Sequence, residues 1–454
     1  MSESLPESVA AWQAQRPKLW GDMHRDIDLF APFWREGAEA LARLPPKMQR
    51  DAEAARAAEA LMATARAARV DFLTAHGREL YDWLTDDRRR FSRIDELVAA
   101  AALKAPGLVP DTKTLAGEKT LMQAEKDGHE IDQGLLLNRF LGDPVTGEHL
   151  CHAMLLPKPE SLDLLPQFVR DGRVELEGAS IERREGVAFL TMRNPRFLNA
   201  EDESSLDGLE TAVDLALLDP ESQICLLRGD YVEHPKYAPG RVFNAGINLT
   251  RLYRGEIPFL WYLRRDLGYV AKICRGLARP EITPEESMGH TTEKLWVAQV
   301  DRFAIGGGCQ ILLVSDYVVA SAGAVMTLPA RKEGIIPGFA DLRLPRFVGD
   351  RIARRAIQSE LRLDCESPEG RLICDEIALP DQMDEAAEAA ARRFLGSGAF
   401  GAIANRRALR IGQEPLEQFR RYAAYYAKAQ AECHFSPQLI VNLERFWDAR
   451  NRKA

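Results

Sequence analysis

The sequence lacks several features that would assign a protein to a particular class. Its 454 residues contain no apolar run of the ~20 residues needed to cross a bilayer, so we expect no membrane-spanning helix. The seven cysteines are scattered and form no C-x-x-C pair, which favours free thiols in a reducing cytoplasm. The eight histidines form no H-x-x-x-H motif, and His149, Cys151 and His152 have no further ligand nearby in sequence. We therefore predict no metal site.

An excess of positive charge is also absent. The chain has 60 Lys and Arg against 68 Asp and Glu, a net charge of -8. Because sequence-independent nucleic-acid binding needs a basic surface, we expect no nucleic-acid partner. The N-terminal segment has no basic stretch followed by an apolar one, so we expect no secretory leader and a cytoplasmic protein.

The amino-acid composition is typical of a folded globular protein, and the length of the chain suggests two or three domains. The first part of the chain is rich in Ala, Arg, Glu and Leu, and Val70, Leu73, Leu80 and Leu84 recur at helical spacing. We predict an N-terminal helical domain over residues 1–172. Packing or assembly is its expected role, and a regulatory or partner-binding module is the alternative.

Apolar runs of strand character alternate with helical stretches in the middle of the chain. The predicted strands are 187–192, 224–227, 295–300 and 317–320, and helices are predicted at 204–218 and 308–314. This alternation indicates an α/β core, to which we assign residues 173–395. The chain is helical again after Asp381, and we predict that residues 396–454 form a helical oligomerisation region.

Two glycine-rich segments carry the strongest local signal. They are RVFNAGINLTRL at 241–252 and FAIGGGCQILLVSD at 303–316. A glycine run that opens a helix exposes backbone N–H groups able to bind an anion or an oxyanion. Taken alone, such a run also fits a tight turn, and it is not a G-x-G-x-x-G dinucleotide motif.

Together with two further motifs, these segments resemble the crotonase, or enoyl-CoA hydratase/isomerase, superfamily. The further motifs are NPRFLNA at 194–200 and GIIPG at 334–338, and the resemblance spans about residues 175–400. It implies an α/β fold, a ββα superhelix, that binds acyl-CoA thioesters and forms homo-oligomers, either trimers or hexamers. It also implies an oxyanion hole made by the N–H groups of Ile247 and Gly307. Further substrate-binding positions implied by the motifs are Ala245, Gly246, Asn248 and Gly308.

The sequence departs from the superfamily at both glutamates that hydratases use as acid and base. Gln310 occupies the first position and Ala330 the second. Neither side chain titrates near neutral pH, so water addition by two carboxylates is not supported. Glu333 is a candidate displaced carboxylate, although a solvated surface position is favoured.

Three polar residues remain as catalytic candidates. Glu201 follows the NPRFLNA motif. We assign it to proton transfer or to a hydrogen bond with a hydroxyl group on an aromatic ring of the substrate; the alternative is a charge at a helix N-terminus. Either Arg264 or Arg265 could pair with Glu201 or polarise a ring hydroxyl, and we favour Arg265; an exposed pair is the alternative. Gln310 is expected to hydrogen-bond near the reacting carbon without acting as an acid.

The CoA phosphates require cations, and an inserted loop at 230–240 supplies part of the candidate set. The candidate cations are Arg193, Arg196 and Lys236, with simple surface placement as the alternative for each. His234 and Tyr237 belong to the same inserted loop as Lys236 and are further substrate-binding candidates.

The N-terminal domain, HPKYAPGRVFNAGIN at 234–248 and GGGCQ together resemble one branch of the superfamily. That resemblance implies a dioxygenase of glycopeptide-antibiotic biosynthesis that uses neither metal nor organic cofactor. The implied substrates are (3,5-dihydroxyphenyl)acetyl-CoA and O2, and the products are 3,5-dihydroxyphenylglyoxylate and CoA. Two alternatives stay open: another crotonase reaction (hydration, isomerisation or thioester hydrolysis) and a non-catalytic acyl-CoA binder.

Overall fold

The computed structural model describes residues 5–396 and 398–452. Helices occupy both ends of this part of the chain, and a mixed α/β core lies between them, which confirms the predicted fold class. Among the described residues, no helix is both long and apolar enough to cross a membrane. All seven cysteines are free thiols.

The N-terminal region is built from amphipathic helices with capped starts. Asp51, for example, accepts hydrogen bonds from the N–H groups of Glu53 and Ala54 at the start of the longest helix. The helices are α1 Leu5–Ala14, α2 Met23–Ala42, α3 Ala52–Leu84, α4 Ile94–Lys104, α5 Thr112–Glu118, α6 Ile131–Gly142, α7 Pro144–Leu155 and α8 Pro159–Asp171.

The predicted apolar face of α3 needs one correction. Leu73, Leu80 and Leu84 are buried, but Val70 is 44% exposed. At about 100° per residue, Val70 lies about 60° from the centre of the stripe that the three leucines form. It therefore lies at the edge of the face that packs on the core.

The central sheet has seven strands in the order β1-β2-β3-β4-β5-β7-β10, and β6, β8 and β9 form a second, smaller sheet. The strands are β1 Arg173–Leu176, β2 Ala179–Arg184, β3 Val187–Met192, β4 Ile224–Gly229, β5 Leu295–Val300, β6 Phe303–Ile305, β7 Tyr317–Ser321, β8 Val325–Thr327, β9 Leu363–Asp364 and β10 Glu376–Ala378. Strands β3, β4, β5, β7 and β10 are parallel. Strands β3, β4, β5 and β7 consist mainly of apolar residues, because both faces of a parallel sheet are covered. The four predicted strands are confirmed.

The remaining helices cover the sheets and form the C-terminal region. They are α9 Glu203–Leu218, α10 Leu249–Tyr253, α11 Leu260–Leu267, α12 Tyr269–Arg275, α13 Gly307–Leu312, α14 Ala330–Glu333, α15 Ala340–Ser359, α16 Met383–Arg393, α17 Ala399–Gln413, α18 Leu416–His434 and α19 Pro437–Trp447. Three of the four sequence motifs lie in the segments that follow β3, β4 and β6. Strands β3 and β4 are parallel and in register, so the segments after them start at the same edge of the sheet.

The two helical ends of the chain pack on each other through α6 and α18. A Cβ atom at Gly134 of α6 would lie 2.7 Å from Ala431 Cβ and 2.8 Å from the Ala427 carbonyl oxygen, so the backbones approach closely. Division of the chain at 172/173 and 395/396 stays a prediction, since this contact joins the outer two parts.

Helix α17 is attached to the core by one buried carboxylate. The Glu293 side chain is fully buried and accepts hydrogen bonds from Arg406 (2.7 Å), Arg407 (2.7 Å) and Arg410 (2.8 Å). Burial raises the pKa of Glu293, but the arginines, Arg410 first, outweigh it and lower that pKa to about 2. Glu293 therefore stays ionised in the folded protein well below neutral pH.

The substitution Glu293→Gln should lower the free energy of unfolding at neutral pH by about 3 kcal/mol, because three arginines lose a buried partner. Since the folded pKa lies below the ordinary 4.5, the carboxylate stabilises the fold above pH 4.5 and loses this effect as the pH falls toward 2. Urea denaturation at neutral and acidic pH measures the difference. Glu285→Gln, an exposed glutamate of the same loop, should change stability by less than ~0.5 kcal/mol. An equal effect of both variants would contradict this role of Glu293.

Candidate active site

The two glycine-rich segments meet through Asn244. The Ile305 N–H group donates to the Asn244 carbonyl oxygen at 3.0 Å, and the Gly246 N–H group donates to Asn244 Oδ1 at 2.6 Å. Gly246 has φ 80°, and a Cβ atom there would lie 2.8 Å from the Ile305 carbonyl oxygen. Glycine is therefore needed at 246 for both its backbone angle and this close approach.

The N–H groups of Ile247 and Gly307 donate to no acceptor in the part of the chain that the structure describes. Gly307 is the first residue of α13, so its N–H group has no acceptor within the helix. Around Ile247, Gly246 O and Asn248 N are the atoms that bond to Glu201, at 2.7 Å and 2.8 Å. Two donors on adjoining loops are thus left for a ligand oxygen.

Both residues line a small inner chamber, and Ile247 also lines a larger outer chamber that adjoins it. The inner chamber has a volume of about 30 Å³, and its wall includes Trp261, Tyr262, Arg265, Gln310 and Tyr426. The outer chamber has a volume of about 770 Å³. Ile247, Leu328 and Glu333 line both chambers and mark their junction. The inner volume accommodates one or two water-sized molecules, so an aromatic ring requires side chains there to move.

Arg265 organises the inner chamber. Its Nε and Nη2 donate to Glu201 at 2.8 Å and 2.9 Å, and its Nη1 donates to Gln310 Oε1 at 2.8 Å and to Asp266 at 2.7 Å. Arg264 points the other way, toward Glu203 and Asp207. The structure therefore brings Arg265, Glu201 and Gln310 together, and the choice of Arg265 over Arg264 agrees with this geometry.

Glu201 lies behind Arg265 and Gly307 and lines neither chamber. Besides Arg265, its carboxylate accepts hydrogen bonds from the Tyr269 hydroxyl and from Asn244 Nδ2. A Cβ atom at Gly307 would lie 2.8 Å from Glu201 Oε1 and 2.9 Å from Arg265 Nη2. Glycine at 307 thus makes room for this ion pair.

Glu333 is not the solvated surface residue that the sequence favoured. It is half-buried at the junction of the chambers, and its carboxylate has no hydrogen-bond or ion-pair partner among the described residues. Burial raises the pKa of Glu333 to about 7. A sequence signal did exist, since Glu333 lies one helical turn after Ala330 and directly before the GIIPG motif.

The outer chamber contains five of the predicted substrate-binding residues. Its lining includes Arg196, His234, Tyr237, Ala245 and Asn248. Asn248 also caps α10, because its side chain accepts a hydrogen bond from the Arg251 N–H group.

Three predicted binding residues line neither chamber, and their binding roles stay predictions. Arg193 pairs with Glu175 and Asp230 and lines a separate cavity of about 240 Å³. Lys236 is exposed, with its ammonium 5.2 Å from the Tyr237 ring centroid. Gly308 packs on Asn244 and lines neither chamber.

The C-terminal end of the chain also contributes to the site, although no sequence motif indicates this. Leu443, Phe446 and Trp447 of α19 line the outer chamber, as do Lys332 and Arg452. The Arg452 guanidinium lies 3.6 Å from the Trp447 ring centroid, which holds a cation at the chamber wall. No local motif could have indicated these residues, because they reach the site only through the docking of α19 on α14.

His149 and His152 have structural partners. His149 contacts the Tyr81 hydroxyl at 2.8 Å and the Arg88 carbonyl oxygen at 3.0 Å, and His152 contacts the Arg279 carbonyl oxygen. Burial lowers the pKa of His149 to about 4. Across residues 5–396 and 398–452, no group of three or more His, Cys, Asp and Glu side chains is arranged to hold a metal ion.

Comparisons with known proteins agree with this architecture. The family model for enoyl-CoA hydratase/isomerase matches residues 276–414. A protein of Amycolatopsis orientalis is 48% identical over 394 residues, which are 87% of this chain and 89% of that protein. At this identity and coverage, the chain belongs to the enoyl-CoA hydratase/isomerase, or crotonase, family, as its motifs indicated.

The Amycolatopsis orientalis relative is named (3,5-dihydroxyphenyl)acetyl-CoA 1,2-dioxygenase. A crotonyl-CoA hydratase of Syntrophomonas wolfei is 23% identical over 239 residues, covering 52% of this chain and 83% of the hydratase. The crystal structure of an enoyl-CoA hydratase from Mycobacterium avium subsp. paratuberculosis aligns with 59% of this chain and 98% of its own, at 20% identity and a TM-score of 0.49.

Proposed function

We propose that the protein is a dioxygenase that converts (3,5-dihydroxyphenyl)acetyl-CoA and O2 into 3,5-dihydroxyphenylglyoxylate and CoA, without a metal or an organic cofactor. The observation that carries this proposal is 48% identity, over most of both chains, to a relative with that named substrate and activity. Gln310 and Ala330 at the two acid–base positions of hydratases support it further.

The acyl-CoA binds across both chambers. Its nucleotide part occupies the outer chamber, where Arg196 and Arg452 supply positive charge for the phosphates. Lys332 lies in the same wall, in an ion pair with Glu360. The thioester carbonyl oxygen accepts hydrogen bonds from the N–H groups of Ile247 and Gly307, and the ring enters the inner chamber as the side chains there move apart. Burial of the thioester among apolar walls keeps water away from the reacting carbon.

The chemistry begins with loss of a proton from the carbon between the ring and the thioester. The resulting enolate oxygen is stabilised by the two N–H groups, which become stronger donors as negative charge develops. The electron-rich enolate reduces O2 and forms a carbon–peroxide bond. The distal peroxide oxygen attacks the thioester carbon and CoA leaves; loss of the second α-proton cleaves the O–O bond to give the 2-oxo acid. Both oxygen atoms of O2 enter this product.

Arg265 and Gln310 orient the ring end of the substrate. Arg265 holds Gln310 Oε1, so the Nε2 group of Gln310 is the part left to bond with the substrate. Glu201 fixes Arg265 from behind and acts as a positioning residue.

Isomerisation of an acyl-CoA is the second candidate function. The partnerless carboxylate of Glu333 at the chamber junction favours it, because moving a double bond needs one proton-transfer group and no oxygen.

A homo-oligomer, trimer or hexamer, is part of the proposal. Exposed apolar side chains on α17, namely Phe400, Leu409 and Ile411, support a contact surface in the predicted C-terminal region.

Oxygen consumption with (3,5-dihydroxyphenyl)acetyl-CoA tests the proposal, using protein treated with a chelator. We expect one O2 consumed for each CoA released, formation of a 2-oxo acid, and no CoA release under argon. Conversion of the substrate under argon would contradict the dioxygenase and favour another crotonase reaction. Binding without turnover would favour a non-catalytic acyl-CoA binder.

A further inference from the structure

The carbon that loses its proton must lie at the junction of the two chambers. The thioester oxygen has to reach the N–H groups of Ile247 and Gly307, and Ile247 lies where the chambers meet. The α-carbon is bonded directly to the thioester carbonyl carbon, so it lies at the same junction. A group that removes the proton must also line this junction.

The carboxylates around the chambers differ in how they are held. Asp266 accepts a hydrogen bond from Arg265 at 2.7 Å, and Glu360 pairs with Lys332 at 2.5 Å. Glu201 is held by Arg265 and lies outside both chambers. Among the residues that the structure describes in the two linings, Glu333 is the carboxylate without a partner, and it lines both chambers.

We propose that Glu333 is the general base that removes the α-proton of the acyl-CoA, an inference that rests on the proposed function. In this step the α-carbon–hydrogen bond breaks and the proton moves to a carboxylate oxygen of Glu333. The bonding electron pair forms the carbon–carbon double bond of the enolate, and the carbonyl pair moves to the oxygen held by Ile247 and Gly307. The same proton can later pass to the departing CoA sulfur, which restores the carboxylate.

The environment of Glu333 suits this role. Burial raises the pKa of Glu333 to about 7, so the carboxylate is a stronger base than an exposed glutamate and is still substantially ionised near neutral pH. The titratable and charged groups that face the two chambers with it are Tyr262, Arg265, Asp266, Tyr426, Arg196, His234, Lys332, Glu360 and Arg452.

The test is exchange of the substrate's α-hydrogens for deuterium under argon, followed by NMR, together with the rate of O2 uptake in air. In Glu333→Gln we expect both rates to fall by at least ~100-fold while KM changes by less than ~3-fold, since a general base typically contributes ~10² to 10⁴-fold. Glu333→Asp should recover part of the loss. Glu385→Gln, an exposed glutamate on α16, is the control and should match the wild type.

A loss of less than tenfold in Glu333→Gln would overturn the assignment. If that variant does not fold, the comparison of wild type with Glu333→Asp decides: an unchanged rate and pH profile overturn the assignment. Exchange by the wild type without O2 uptake would overturn the dioxygenase but leave Glu333 as the base. O2 uptake that persists in Glu333→Gln would overturn the role of Glu333 and leave the dioxygenase intact. Absence of both activities in the wild type would overturn both.

Discussion

Replacement of Gly307 by alanine should lower kcat by about 10² to 10³-fold, the usual effect of losing one oxyanion donor. The new Cβ atom would lie 2.8 Å from Glu201 Oε1 and 2.9 Å from Arg265 Nη2, closer than carbon can approach. Neither partner can retreat, because the Glu201–Arg265 pair is buried and hydrogen-bonded on both sides. The start of α13 must therefore shift, and the Gly307 N–H group moves away from the thioester oxygen.

Steady-state O2 uptake and CoA release measure this effect. The matched control is Gly117→Ala on α5, where a Cβ atom would meet nothing within 4 Å. We expect this control to keep kcat within ~2-fold of the wild type. If Gly307→Ala retained more than a tenth of the wild-type kcat, the clash would not control the oxyanion hole.

Replacement of Arg265 by methionine should lower the free energy of unfolding by about 3–5 kcal/mol, as is found when one partner of a buried ion pair is removed. Arg265 is 2% exposed, and its loss leaves the carboxylates of Glu201 and Asp266 buried without their cation. The carbonyl oxygen of Gly307 also loses a donor. Activity should fall as well, because the start of α13 and Gln310 lose their common support.

The preceding residue supplies the control for this variant. Arg264 pairs with Asp95, Glu203 and Asp207, all of which are more than a third exposed. Because water solvates these carboxylates when the cation is removed, Arg264→Met should cost no more than ~1 kcal/mol. Denaturant titration of both variants measures the free energy of unfolding. An equal decrease in the two variants would show that burial does not make the ion pairs of Arg265 more important for stability than those of Arg264.

Much of the core was predictable from the sequence. Strands β3, β4, β5 and β7 were found as apolar runs because a strand covered on both faces must be apolar along its whole length. The paired N–H donors at Ile247 and Gly307 were also predictable. Each donor depends on local backbone structure: a glycine-containing loop before Ile247 and the first turn of α13 at Gly307. Short sequence motifs identify both features.

Side-chain direction and long-range docking were decided by the tertiary structure. Arg264 and Arg265 are adjacent, yet Arg264 pairs with partly exposed carboxylates while Arg265 is buried against Glu201. Arg193 has the charge to bind a phosphate, yet its guanidinium forms ion pairs with the carboxylates of Glu175 and Asp230, away from both chambers.

Glu333 and the C-terminal residues make the same point. Glu333 is a charged residue next to a glycine turn, a pattern typical of a surface, and the chamber walls around it are what bury its carboxylate. Trp447 and Arg452 join the site across more than a hundred residues of chain, because α19 packs on α14. The sequence by itself determined the class of fold and the family, and its resemblance to that family predicted the two N–H donors at Ile247 and Gly307. Which charges are buried, paired or left free to react depends on contacts between distant segments, and only the tertiary structure brings those segments together.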